Sequence, residues 1–201
     1  MPCHRLFAVL MVTMAGLAAN HAVQADDRSG AVKVASSGDN EDSGGDLLDP
    51  DQVPPGKIGI VIFDNAPFPY IGTVPSDGNG DDLPFLDAQE GSRRGHTSAR
   101  GGIYWENETY SDRRSLLYIP QGFDIRKPAA IVVYFHGNRA LLARDVVDRQ
   151  QVPRQLAESH LNAVLVAPQF ARDALDSSAG GFWQPGAFAR FLREAADRLD
   201  N

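Results

Sequence analysis

His136-Gly137-Asn138 follows directly on Ala130-Ile131-Val132-Val133-Tyr134-Phe135, an apolar run without alternation. Such a run marks a strand buried on both faces, usually a central strand of a parallel sheet. In open α/β sheets, sites lie beyond the carboxyl ends of the strands, and this tripeptide stands at such an end. Gly137 has no side chain, so a substrate has close access to its backbone. A backbone N–H of this loop, that of Asn138 first, is then a donor for the oxyanion of a tetrahedral intermediate. One such donor typically contributes about 3–4 kcal/mol. A turn that merely redirects the chain fits the same residues, and without further context they favour it. The His136 imidazole reads as a loop anchor through hydrogen bonds rather than as a base.

Other chemistry-bearing residues give weaker patterns. A serine nucleophile needs G-x-S-x-G on a strand-to-helix turn, and the sequence has none. The nearest stretch, Asp176-Ser177-Ser178-Ala179-Gly180-Gly181, lacks the first glycine, follows no strand and precedes a loop. Besides His4 and His21 near the N-terminus, the histidines are His96, His136 and His160, and none follows a nucleophile in the required order. Asp77-Gly78-Asn79-Gly80-Asp81 spaces oxygen ligands like the opening of a calcium loop. Asp82 stands where the glycine belongs, however, and Ala88 where the bidentate acid belongs. A polar turn is the simpler reading, and no metal or other cofactor is expected. Asn107-Glu108-Thr109 fits a glycosylation sequon. Tyr104, Trp105 and Tyr110 read as packing anchors, and Trp183 as a cover for the core.

Several elements must position the 136–138 loop. Ile58–Phe63 and Ser115–Ile119 read as strands, the second closed by Pro120. Residues 130–135, a helical region divided near Pro153 with its second piece at Arg154–His160, and Ala163–Ala167 form a βαβ unit, expected to be right-handed. A last helix spans about 186–199, with Phe188, Phe191, Leu192, Ala195 and Leu199 at helical spacing on one face. That stripe reads as core packing, not as a ligand groove. Residues 64–100 are rich in Gly, Pro, Asp and Asn and read as loops.

The N-terminus has the three-part layout of an export leader. Arg5 provides positive charge, Leu6–Ala19 is apolar and uncharged, and Val23-Gln24-Ala25 offers a cleavage site, giving a signal peptide over 1–25 and a secreted or periplasmic protein. About 14 apolar residues are too few for a bilayer core, which needs about 20, so no membrane anchor is expected after cleavage. Residues 26–56 hold eight acids against two bases and read as a disordered acidic linker. The folded part then begins at 57. The only cysteine, Cys3, lies in the leader, so no disulfide or thiolate chemistry is expected. The formal charge of −7 speaks against nucleic acid as a partner, which needs clustered Lys and Arg.

The order of these parts resembles the N-terminal half of α/β-hydrolases of the secreted serine esterase and peptidase kind. Arg113–Asp124 resembles their early antiparallel strands, 130–138 their third strand and oxyanion loop, Asn162–Gln169 their fourth strand, and Gly181–Leu199 the loop and helix before the nucleophile strand. The resemblance implies a partial hydrolase-like α/β sheet of about four strands, the first antiparallel and then a parallel βαβ unit, with flanking helices. It implies a site at His136, Gly137 and Asn138 and a small-molecule ester or amide as substrate once a missing half is supplied. It also implies that residues 130–135 are left as an edge, because the nucleophile strand normally pairs beside the third. An uncharged apolar edge is an aggregation hazard, so the chain reads as truncated and inactive by itself. The competing reading is a non-catalytic exported binding protein on the same scaffold.

Overall fold

The computed structural model describes residues 7–13, 48, 51–76 and 82–199. In chain order these form β1 (Phe7–Thr13), β2 (Gly56–Ile62), β3 (Thr73–Val74), β4 (Leu83–Pro84), β5 (Ala88–Glu90), β6 (Arg93–Ser98), β7 (Gly102–Trp105) and α1 (Glu106–Thr109). Then follow β8 (Arg114–Pro120), β9 (Ala129–Phe135), a π-helix (Leu142–Arg149), α2 (Val152–Glu158), β10 (Ala163–Pro168), a 3₁₀ turn (Gly180–Trp183) and α3 (Ala187–Leu199).

The architecture is mixed α/β, with helices flanking a five-stranded sheet of order β1-β9-β10-β8-β2. β9 runs parallel to β10, while β8 is antiparallel to both β10 and β2. The absence of alternation in β9 and β10 has a direct cause. Val132, Tyr134, Ala163, Leu165 and Ala167 face a layer made by the π-helix and α2. Ile131, Val133, Val164 and Val166 face Phe191 and Ala195 of α3. Both faces are dry, so every position must be apolar. The helical region divides at Gln151, which has φ 52°, so Pro153 falls in the first turn of α2, where its missing N–H costs nothing.

Three features depart from the sequence reading. First, residues 64–100 are not all loop. β5, β6 and β7 build a second antiparallel sheet, with Gly95 opposite Trp105 and Thr97 opposite Ile103. Its polar, glycine-containing strands carry little apolar periodicity; they are held instead by cross-strand contacts. The Arg93 guanidinium lies 4.3 Å from the centre of the Trp105 ring, and Arg94 grips Glu106 through two 2.9 Å bonds. Second, the core begins before residue 57. Pro54 is buried, Leu48 and Val53 pack on the core, and the Tyr118 hydroxyl donates to the Pro55 carbonyl at 2.9 Å.

The third departure concerns the edge. β9 is not an edge strand. β1 runs parallel along it from Phe7 opposite Ala129 to Thr13 opposite Phe135. The expectation of an unpaired Ala130–Phe135 is thereby overturned. The sheet also has five strands, not about four. The run that reads as the core of a leader is uncharged and apolar, and those same properties suit it to a sheet.

Among the described residues, no helix is long and apolar enough to cross a membrane.

Candidate functional site

β9 delivers the 136–138 loop to one rim of a cavity of about 390 Å³. Phe135, Phe170, Phe182 and Phe188 make its apolar wall, and Gly137, Asn138, Asp176 and Ser177 contribute to its polar side. The phenyl rings meet edge to face, Phe135 with Phe170 at 5.2 Å and Phe182 with Phe188 at 5.3 Å. Such contacts fix ring positions beyond what burial alone would do. The stripe on α3 is therefore not core packing alone. Phe191 is fully buried, but Phe188, one turn earlier, lines the cavity.

His136 is the anchor of the loop. Its Nε2 faces two donors, the Phe170 N–H at 2.9 Å and the Gln169 side-chain amide at 3.0 Å. The proton therefore sits on Nδ1, which donates to the Gly137 carbonyl at 2.9 Å. Burial pushes this imidazole below its ordinary pKa, since charge is costly away from water. With both nitrogens engaged and the neutral form favoured, the ring ties the end of β9 to the turn after β10 and is not poised as a base. Gln169, itself buried, completes the joint by accepting from the Leu142 N–H and donating to the Ala140 carbonyl.

The Asn138 side chain is fixed with equal care. Its amide satisfies its surroundings with the nitrogen donating to the Asp176 carbonyl and the Ser177 hydroxyl, and the oxygen accepting from Arg100 at 3.1 Å. Asp176 is held in turn, its carboxylate accepting from the Tyr110 hydroxyl at 2.8 Å and from Ser178. Burial and the adjacent carboxylate drive the Tyr110 phenol far above its ordinary pKa. Gly137 is thus flanked in the chain by two anchored side chains. A Cβ at that position would meet nothing within 4 Å, so its backbone opens onto free space. Among the described residues, none makes a hydrogen bond to the N–H of Gly137 or of Asn138.

Other candidates fall elsewhere. Ser177 touches Asn138, but among the described residues no histidine or carboxylate bonds its hydroxyl, so it has no activating base. His96 stacks on Phe85 at 4.3 Å and bonds the Phe85 carbonyl. His160 is exposed. Residues 77–81 of the calcium-like stretch lie outside the described residues. Asp82 accepts from the Ser76 N–H and Ala88 sits in β5, and among the described residues no cluster of metal-binding side chains occurs. Tyr104 accepts the Leu175 N–H, Tyr110 is buried, and Trp183 packs on Tyr70 and Phe85, so these aromatics act in packing. The sequence reading missed Phe170, Phe182 and Gln169 as site residues. Only their position just after the two buried strands and before α3 hinted at them.

Compared with protein-family models, curated proteins and solved structures, the chain matches none.

Proposed function

We propose that this chain is an exported α/β-hydrolase-like protein that seats the acyl part of a small ester or amide in the aromatic cavity and does not cleave it. The carrying observation is that two unpartnered N–H groups, those of Gly137 and Asn138, stand at the rim of a pocket walled by phenyl rings. A carbonyl or carboxylate oxygen satisfies such donors, and an apolar substituent fills the rest. A cavity of about 390 Å³ suits a small ligand. The strand order supports the scaffold reading. β2, β8, β10 and β9 follow one another across the sheet as first, second, fourth and third strands, with the second antiparallel. The engaged His136 and the baseless Ser177 favour binding over turnover, as does the absence of G-x-S-x-G from the 201 residues. Export is carried by the layout of residues 1–25 alone.

The test pairs ligand and probe. Saturation-transfer NMR with phenyl butyrate should show the butyryl chain in contact with protein. Gly137→Val, which crowds the donors without touching the fold, should abolish that contact. A fluorophosphonate should label no serine. Labelling of any serine would refute the non-catalytic assignment, and no transfer to the ester in the unmodified chain would refute acyl binding itself.

A further inference from the structure

One segment carries two features that exclude each other. Leu6–Ala19 has the composition of an export leader, yet Phe7–Thr13 is a strand paired along its whole length with β9. Cleavage after Ala25 would carry β1 away and leave one side of β9 without a neighbour. The other four strands are paired among themselves without β1. β9 keeps β10 on its other side, from Ala130 opposite Ala163 to Val133 opposite Val166. Its side chains pack into two layers that do not include β1, Val132 and Tyr134 on the side of the π-helix and α2 and Ile131 and Val133 on the side of α3. The uncovered backbone would therefore be a preformed ladder, not a loose end.

We infer that β9 is a strand-acceptor edge. β1 fills it in the uncleaved chain, and after β1 is lost it takes an extended, uncharged, apolar segment of a partner protein running parallel to β9. The chemistry of that partner follows from the segment now seated there, Phe7–Thr13, which has no charge, no glycine and no proline. The parallel sense follows from the register. The edge has no device against such pairing, because Ala129–Phe135 contains no Lys, Glu or Pro, the residues that usually blunt an exposed strand. Main-chain hydrogen bonds would supply the affinity, as in other strand additions. The acceptor ends at Phe135, next to the candidate site, but the inference does not rest on any ligand binding there.

The experiment uses the full chain with a protease recognition sequence inserted between Ala25 and Asp26. Hydrogen exchange is followed at the amides of Ala129–Phe135 before cleavage, after cleavage and fragment removal, and after addition of a synthetic peptide of sequence Phe7–Thr13 flanked by lysines. Cleavage should speed exchange in this strand by about tenfold or more while circular dichroism stays unchanged. The peptide at about 100 µM should restore protection, and its V9P version should not. A L10C/V132C pair in a C3S background should cross-link on mild oxidation and prevent both effects. Unchanged exchange on cleavage, no protection by the peptide, or unfolding of the cleaved chain would each overturn the inference.

Discussion

His136 Nε2 accepts the Phe170 N–H at 2.9 Å, so one imidazole fastens the end of β9 to the turn that follows β10. The two residues also meet as rings, edge to face at 5.7 Å. Everything at the rim of the cavity is referred to this joint. Gly137 and Asn138 leave it on one side, and the Phe170 ring enters the cavity wall from the other.

Replacing His136 by alanine strands the Phe170 N–H and the Gln169 amide, at a cost of about 1–3 kcal/mol. A urea titration measures it. The joint also carries a pH signature. Burial holds the folded imidazole below its ordinary pKa, so the unfolded chain takes up a proton first as pH falls. The contribution is full above the unfolded value of about 6.5 and is lost progressively below it. The fall in melting temperature between about pH 7.5 and pH 5 should be smaller in H136A. Equal falls in both proteins would contradict the assignment.

Tyr110→Phe removes the 2.8 Å hydrogen bond to Asp176 and should cost about 1.5–3 kcal/mol, the range for a charged acceptor. The sign of the alkaline effect is opposite to that of His136. The folded phenol ionises far above its ordinary value, so stability is full below about pH 10 and declines above it as the unfolded chain loses its proton. Burial shifts Tyr118 and Tyr134 upward too, so Y110F should flatten the alkaline decline in part. Melting curves from neutral to alkaline pH decide this.

Gly180 and Gly137 should respond in opposite ways to alanine. Gly180 has φ +56°, and a Cβ there would run into the Pro67 carbonyl and the Phe68 ring. Left-handed strain plus overpacking gives a loss of about 2–4 kcal/mol. Gly137 opens onto free space, so G137A should stay within about 0.5 kcal/mol of the unmodified chain. Paired thermal melts compare the two.

Phe191→Ala should cost about 3–5 kcal/mol. The ring is fully buried between α3 and the sheet, and its centre lies 5.1 Å from that of the tilted Phe63 ring. Because Phe188 neighbours it on the same helix, the variant should also loosen the cavity wall. Chemical denaturation gives the first effect, and the phenyl butyrate NMR signal the second.

Residues 58–62, 115–119, 130–135 and 163–167 announce their strands because burial on a sheet leaves a local mark, a run of β-branched and aliphatic residues. The spacing of Phe188, Phe191 and Ala195 announces α3 in the same way. His136-Gly137-Asn138 was legible as a loop at a strand end for the same reason. β6 and β7 were not, since Arg93, Arg94, Gly95 and His96 carry no apolar pattern and are held by partners on other elements, such as Trp105 of β7 and Glu106 of α1.

The sequence alone determined which segments are dry on both faces, where they stop, and that the carboxyl end of one carries a glycine flanked by two hydrogen-bonding side chains. Those properties belong to neighbours in the chain. Tertiary structure decided that Phe170, Phe182 and Phe188 converge on Gly137, that both His136 nitrogens are engaged, and that β1 lies against β9. Apart from the bond of His136 Nδ1 to its neighbour Gly137, each of these is a contact between residues far apart along the chain. No local periodicity encodes such a meeting, because it exists only once the layers have packed.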